Sequence, residues 1–285
     1  MTDSNDTDKP LNTESDRKDS GLENLLPIDE HVEMVSENGQ KVQRKGIYLL
    51  PNLFTTAALF SGFYAIVAAI NADFASAGLA IFFGQMLDGM DGRIARLTNS
   101  QSKFGEEYDS LSDLVTFGVA PALIMFNWCL SDLGKLGWSV AFIYLLCAAL
   151  RLARFNAEAE TTDSRFFTGL ASPPAAILLA STVWLLTEWG VSGLELNRGA
   201  QLVFAGVTAL VGLMMVSNVP YHSFKGIDFK GRVPFLTMFL VTMIFVVIAM
   251  DPALVLFLMA SSYACSGPIV YAWRFISGKK SVVVR

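Results

Sequence analysis

The sequence DGMDGRIARLTNSQSKFGEEYDSLSD, residues 88–113, places four aspartates between two strongly apolar stretches of the chain. A run of about 20 apolar residues is long enough to cross the hydrocarbon core of a bilayer as a helix. An ionised side chain in such a helix costs about 3 kcal/mol or more unless it faces protein, a water-filled cavity or a cation. The four aspartates, Asp88, Asp91, Asp109 and Asp113, therefore predict a functional site at the membrane.

The composition of the chain supports a membrane protein. Of 285 residues, 53% are hydrophobic and 16% are charged, and the mean hydropathy is +0.45. These values are too apolar for a soluble globule and predict an all-α, polytopic membrane helix bundle. The net charge of −5 gives no support to nucleic-acid binding.

Eight apolar runs have the length of membrane-spanning helices. The connections between them alternate between basic and nearly uncharged, and cytoplasmic loops carry the excess of Lys and Arg. This alternation predicts that both termini and the aspartate region face the cytoplasm. The runs are residues 50–70, 74–97, 104–130, 138–155, 173–189, 200–216, 233–250 and 254–275.

The charge distribution predicts three parts. Residues 1–45 contain 11 acidic and 6 basic residues and are expected to form a largely disordered cytoplasmic tail. Within this tail, the spacing of Ile28, Val32 and Val35 indicates a helix on the membrane surface. Residues 46–275 form the membrane domain, and residues 276–285 form a basic cytoplasmic tail.

Helical spacing places the polar and small residues of the motif on two helix faces. The connection between the helices is short, so the two faces converge near the cytoplasmic interface. Converging carboxylates repel one another unless cations neutralise them, and hard oxygen ligands favour Mg²⁺ or Mn²⁺. The residues are Asp88, Asp91, Gly92, Ala95 and Arg96 on the second helix, and Gly105, Asp109 and Asp113 on the third.

The small residues have a chemical and a structural interpretation. Gly92 and Gly105 would let a diphosphate and a flat base approach the backbone, while Ala95 keeps the adjacent turn low. Arg96 would pair with phosphate or position an aspartate. In the structural interpretation, small residues only allow close helix packing. A calcium-binding EF-hand loop fits less well, because its ligands alternate rather than follow helical spacing.

The motif resembles that of the CDP-alcohol phosphotransferases. DGMDGRIAR, eight further residues and GEEYDSLSD match each fixed position of DxxDGxxAR…GxxxDxxxD. The resemblance implies a multi-pass protein of the inner (cytoplasmic) membrane with a six-helix catalytic core. It also implies two divalent cations held by all four aspartates and a CDP group between the second and third helices. Members of the family often dimerise, and the residues of this chain leave that question open.

The same resemblance implies a role for each residue of the motif. Asp113 would also be the catalytic base that takes the proton of the acceptor alcohol. The CDP group would contact Asp88, Asp91, Gly92, Ala95, Arg96 and Gly105. The implied reaction transfers a phosphate-linked group from CDP to the acceptor alcohol. Two metal ions that bridge the diphosphate oxygens fit such a transfer.

Three further stretches resemble the bacterial phosphatidylserine synthase branch of the family. They are IYLLPNLFT (residues 47–55), RLARFN (residues 151–156) and SNVPYHSFK (residues 217–225). The branch implies CDP-diacylglycerol as donor and L-serine as acceptor, surrounded by membrane lipids. Arg151 and Arg154 would hold the serine carboxylate, and Asn156 would add a hydrogen bond. Arginines at this position are equally well explained as topology determinants.

Two other functions remain open at this point. Glycerol 3-phosphate or inositol phosphate would replace serine as the acceptor without a change in the motif. A cation transporter would use the intramembrane aspartates as its ion path. The absence of an internal repeat and the clustering of acidic residues at one interface argue against a transporter.

Overall fold

The computed structural model of the chain describes residues 33–37, 40–44, 49–98, 102–158, 166–222, 243, 246 and 250–276. Contacts divide the chain into two units, Met1–Gly46 and Ile47–Arg285. The described part of the first unit is an antiparallel hairpin of β1 (Glu33–Glu37) and β2 (Gln40–Arg44).

This hairpin differs from the surface helix that we expected around Val35. Val35 lies in β1 and pairs with Val42 of β2. The sequence between the strands is Asn-Gly, the strongest short-range hairpin signal, and it outweighs a weak helical periodicity. Ile28, Val32 and most of the acidic tail lie outside the described residues.

The second unit is helical, which confirms the predicted all-α class. Its described helices are α1 (Leu49–Ile70), α2 (Phe74–Leu97), α3 (Lys103–Leu133), α4 (Lys135–Glu158), α5 (Ser172–Glu188), α6 (Arg198–Val216) and α7 (Pro252–Ile276). A short 3₁₀ helix covers Gly193–Glu195, and the strands β3 (Phe166–Thr168) and β4 (Pro220–His222) pair antiparallel.

Five described helices, α1, α3, α4, α6 and α7, are long and apolar enough to cross a membrane. Large apolar side chains are exposed on these helices, among them Phe60 at 68% and Trp138 at 56%. Extensive exposed apolar surface of this kind is expected where lipid, not water, is the solvent, so the chain is a membrane protein. The seventh expected run, residues 233–250, lies outside the described residues except for Met243, Val246 and Met250, and the count of eight stays a prediction.

The first three helices are held together by small residues and hydroxyl groups. α1 packs along α2 and also contacts α3. A Cβ atom on Gly84 would lie 2.8 Å from Thr116 Cγ2, and Gly62 also faces Thr116. The Thr116 hydroxyl donates a hydrogen bond to the Ala58 carbonyl at 3.2 Å. Small side chains thus allow the close approach of these three helices.

The third helix changes its winding directly after the aspartates. α3 is α-helical over Lys103–Asp113 and π-helical over Leu114–Val119. Pro121 follows this wide turn and has no N–H to donate to the Phe117 carbonyl. The buried Tyr144 hydroxyl donates to that carbonyl at 3.1 Å instead. The bond ties α4 to α3 at the segment that follows the last aspartate.

Candidate active site

The four aspartates lie where α2 ends and α3 begins. Ser102 caps α3, since its hydroxyl accepts a hydrogen bond from the Gly105 amide at 3.0 Å. α2 ends at Leu97, so the two helices are joined by a short connection. The chain therefore reverses direction and brings the last turns of α2 beside the first turns of α3, as the sequence predicted.

Three of the four carboxylates form a compact group. Asp88, Asp91 and Asp109 each offer an oxygen, and these oxygens lie within 4.8 Å of one another. Asp91 is buried, with 5% of its surface exposed. Asp113, one turn further along α3, lies outside this group of three, and its carboxyl group is within hydrogen-bonding reach of Asp88.

The donor set of this group fits a divalent cation. Asp109 Oδ1 is one of three buried side-chain polar atoms without a hydrogen-bond partner among the described residues. A buried oxygen of this kind is costly unless something else satisfies it. Several carboxylate oxygens facing one point offer the hard ligands that Mg²⁺ and Mn²⁺ prefer. The Asp cluster can therefore hold metal.

The orientation of Asp91 is set by two hydrogen bonds. The Thr55 hydroxyl of α1 donates to Asp91 Oδ2 at 2.8 Å. The Gly92 amide donates to Asp91 Oδ1. Because each carboxylate oxygen has a partner, the side chain is fixed before any ligand binds.

A cavity of about 180 Å³ opens beside the aspartates. It is bounded by the start of α1, the end of α2 and the start of α3, and a nucleotide at this position stays a prediction. Its lining residues are Pro51, Asn52, Thr55, Asp91, Gly92, Ala95, Ser102, Gly105, Glu106 and Asp109.

Gly92 and Gly105 of the motif line this cavity. A Cβ atom on Gly92 would meet no described residue within 4 Å, so it would project into the cavity. A Cβ on Gly105 would lie 3.1 Å from Ser102 Oγ and 3.5 Å from Asn52 Oδ1. This contrasts with Gly84, where a Cβ would collide with a neighbouring helix. Arg96 lies outside the lining, and its Nε donates to the Gly92 carbonyl at 2.9 Å.

We expect Gly92→Ala to lower kcat/KM for the nucleotide substrate about tenfold or more, because overfilling a pocket by one methyl group costs roughly 1–3 kcal/mol. The thermal unfolding temperature should not fall, since alanine favours a helix over glycine. Gly89→Ala on the same helix is the matched control, because its Cβ also meets nothing within 4 Å and the residue does not line the cavity. Equal kcat/KM values for the two variants would contradict nucleotide binding in the cavity.

The three residues expected to bind the acceptor occupy different surroundings. Arg151 of α4 is half-buried, its Nη1 donates to Ser172 Oγ at 2.7 Å, and its charge interacts with Asp113. Arg154 Nη1 donates to Asn218 Oδ1 at 2.9 Å. Arg151 thus contacts the start of α5 and interacts electrostatically with Asp113, while Arg154 contacts the segment after α6.

Asn156 is exposed, and its amide Nδ2 donates to Ser110 Oγ at 2.9 Å. Ser110 follows Asp109 directly on α3. Asn156 thus joins the end of α4 to the aspartate-bearing part of α3.

The sequence prediction missed the contribution of α1. Pro51, Asn52 and Thr55 line the cavity, although the sequence analysis used their stretch only as a mark of resemblance. The available signal was the spacing of Asn52 and Thr55, three residues apart on one helix face within an otherwise apolar run. Polar residues at the same membrane depth as four carboxylates predict a shared site.

A model of the CDP-alcohol phosphatidyltransferase family matches residues 48–217 of the chain. The match covers more than half of the sequence and includes α1 to α6, the four aspartates and the cavity. The family model therefore spans every residue that forms the site described above.

Curated relatives agree with this match. A CDP-diacylglycerol–serine O-phosphatidyltransferase of Helicobacter pylori J99 is 38% identical over 200 residues, which are 70% of this chain and 83% of the relative. The enzyme of that name from Mycobacterium tuberculosis H37Rv is 30% identical over 241 residues, 81% of each chain. That of Bacillus subtilis 168 is 38% identical over 176 residues, 62% of this chain and 91% of the relative.

Proposed function

The chain belongs to the CDP-alcohol phosphatidyltransferase family, and we propose that it transfers the phosphatidyl group of CDP-diacylglycerol to L-serine, releasing CMP and phosphatidylserine. The observation that carries this proposal is the group of Asp88, Asp91 and Asp109 beside a cavity at the membrane. The choice of serine is supported by the relatives, whose names specify serine as the acceptor.

In the proposed reaction, the serine hydroxyl oxygen forms a bond to the phosphorus that carries the diacylglycerol. The bond between that phosphorus and the bridging oxygen of CMP breaks, so CMP leaves with the bonding electrons. Asp113 takes the proton of the attacking hydroxyl. Its position one turn beyond Asp109 and within reach of Asp88 places a carboxylate next to the group of three.

Two divalent cations, Mg²⁺ or Mn²⁺, would be held by Asp88, Asp91, Asp109 and Asp113. Bound there, they supply positive charge that neutralises the diphosphate and the leaving CMP. The residues of the chain fix the geometry, since Thr55 and the Gly92 amide orient Asp91. Gly92, Ala95 and Gly105 leave the space in which the CDP group lies against the backbone.

The position of Arg151 supports a carboxylate-bearing acceptor. Its guanidinium lies near Asp113, within the membrane domain, and one of its nitrogens is already bonded to Ser172. The planar guanidinium offers further N–H donors that match a carboxylate in a bidentate arrangement.

We expect Arg151→Lys to raise the KM for serine roughly tenfold to hundredfold, because a hydrogen bond to a charged group contributes about 1.5–3 kcal/mol and lysine lacks the planar fork. The KM for CDP-diacylglycerol should stay near the wild-type value. Steady-state kinetics with each substrate varied in turn measures both constants. Arg198→Lys, at the exposed start of α6, is the control; an unchanged serine KM in Arg151→Lys would remove Arg151 from the acceptor site.

We also propose that the protein lies in the inner membrane with its active site and both termini on the cytoplasmic side. The support is the alternation of basic residues along the sequence, which places Arg93, Arg96 and Lys103 around the aspartates. A soluble acceptor would then reach the site from the cytoplasm while the acyl chains of the donor remain in the bilayer.

The acceptor is tested by offering serine, glycerol 3-phosphate and inositol phosphate separately to the purified protein with CDP-diacylglycerol and Mn²⁺ or Mg²⁺. We expect CMP release when serine is the acceptor and none with the other two compounds. CMP release with either phosphorylated acceptor and none with serine would keep the chemistry and replace the acceptor. Cation flux in liposomes without CMP release under any of these conditions would favour the transporter instead.

A further inference from the structure

Thr55 is a buried residue of α1 that contacts both aspartate-bearing helices. Only 3% of its surface is exposed, and its hydroxyl lies 2.8 Å from Asp91 Oδ2 on α2. Its backbone carbonyl accepts a hydrogen bond from Ser112 Oγ on α3 at 3.1 Å. Ser112 is 2% exposed and directly precedes Asp113. One residue of α1 therefore connects α2 and α3 at the level of the aspartates.

The hydroxyl of Thr55 makes its shorter contact with a carboxylate on another helix, whereas that of Thr208 bonds to a carbonyl of its own helix. Threonine in a helix usually bonds to the carbonyl four residues earlier. Thr56 does so to Asn52 at 2.7 Å, and Thr208 does so to Phe204 at 2.8 Å. Thr55 lies 3.2 Å from the Pro51 carbonyl, but the shorter contact is to Asp91. A hydroxyl has one proton, and a bond to a carboxylate is the stronger of the two.

The bond limits how the Asp91 carboxylate can turn. Oδ2 faces Thr55, while Oδ1 accepts from the Gly92 amide. Because both oxygens accept hydrogen bonds, these bonds determine where the remaining lone pairs of Asp91 point. Asp91 is a member of the group of three carboxylates and also lines the cavity. The orientation of this one side chain thus affects both the cluster and the cavity.

We infer that Thr55 is a positioning residue that holds Asp91 in the orientation required for divalent-cation binding. The inference rests on the proposed function of the aspartates as metal ligands and assigns to α1 a part in the site. Partners that orient a metal ligand contribute substantially to affinity, and their loss typically costs tenfold to hundredfold in metal binding or activity.

The test uses the full chain in detergent and measures Mn²⁺ binding in the absence of substrate, by the decrease of the electron paramagnetic resonance signal of free Mn²⁺. Thr55→Val keeps the shape of the side chain and removes the hydroxyl. We expect its dissociation constant for Mn²⁺ to rise about tenfold to hundredfold, and Thr55→Ser to restore near wild-type binding. Thr208→Val is the matched control, because the hydroxyl of this buried threonine bonds to the Phe204 carbonyl of its own helix.

The possible outcomes separate the inference from the proposed function. If wild-type protein binds Mn²⁺ and releases CMP while folded Thr55→Val binds Mn²⁺ equally well, the inference is wrong and the proposed function stands. If wild-type protein binds no Mn²⁺ and releases no CMP, the proposed function fails first. Should Thr55→Val not fold, Thr55→Ala provides the same comparison with Thr55→Ser. Weak Mn²⁺ binding in Thr55→Ala together with near wild-type binding in Thr55→Ser supports the inference.

Discussion

Asp113→Asn is expected to lower serine-dependent CMP release by about a thousandfold or more. A positioned general base contributes about a hundredfold to ten-thousandfold to a rate, and the substitution also removes a charge beside Asp88. An asparagine has nearly the same shape but cannot take the proton of the attacking hydroxyl. Asp113 is suited to this role because it lies beside Asp88 and near Arg151, outside the group formed by the other three carboxylates.

The measurement is CMP release at saturating serine and CDP-diacylglycerol, together with Mn²⁺ binding to the same preparation. Mn²⁺ binding should be weakened much less than turnover, because Asp88, Asp91 and Asp109 remain. Full activity in folded Asp113→Asn would exclude Asp113 as the base. A variant that loses Mn²⁺ binding in the same proportion as turnover would show that Asp113 acts as a metal ligand alone.

Asp109→Asn is expected to remove high-affinity Mn²⁺ binding and with it the reaction. Among the described residues, Asp109 Oδ1 has no hydrogen-bond partner and is buried, so in the proposed function it is the oxygen best placed to bind a cation. The amide removes one negative charge from a group whose oxygens lie within 4.8 Å. The loss of Mn²⁺ affinity should exceed the roughly tenfold to hundredfold loss that follows removal of a residue hydrogen-bonded to a metal ligand.

Asp73→Asn is the matched control for this variant. Asp73 caps α2 at the opposite end from Asp88, where its carboxylate accepts a hydrogen bond from the Ser76 amide at 3.1 Å. Hydrogen bonding to Ser76, chiefly to its side chain and also to its amide, lowers the pKa of Asp73, and asparagine serves nearly as well as aspartate at a helix N-terminus. Mn²⁺ binding and CMP release should therefore be unchanged. Undiminished Mn²⁺ binding in folded Asp109→Asn would contradict a metal site at the cluster.

Much of the site could be predicted because its signal is local. Asp88 and Asp91 lie on one helix, Asp109 and Asp113 on the next, and helical periodicity alone assigns each pair to one face. The short connection before Ser102 then requires the faces to meet. Since apolar runs also mark the helices, the membrane class and most helix positions follow from the same sequence patterns.

The parts that could not be predicted depend on contacts between distant residues. The bond from Thr55 to Asp91 joins residues 36 positions apart, and that from Ser112 to Thr55 spans 57. No periodicity within one helix indicates which neighbour a hydroxyl will reach. The approach of Arg151 to Asp113 is likewise set by how α4 packs on α3, through contacts such as that of Tyr144 with Phe117.

The glycines show why residue type alone leaves the function of a position open. Gly84 and Gly92 lie on the same helix, and both fit a sequence interpretation as packing residues. In the structure, a Cβ on Gly84 would collide with Thr116, whereas one on Gly92 would enter open space beside Asp91. The neighbouring helix decides between these roles, so only the three-dimensional arrangement separates packing from ligand space.

The most direct test of the proposed function is the joint measurement of CMP and phosphatidylserine formed by the purified protein from CDP-diacylglycerol and isotopically labelled serine, with Mn²⁺ or Mg²⁺ present. We expect the two products in equal amounts, no product after chelation of the metal, and none from folded Asp113→Asn. Release of CMP without label in the lipid, or equal product formation with the metal removed, would contradict metal-dependent transfer of the phosphatidyl group to serine.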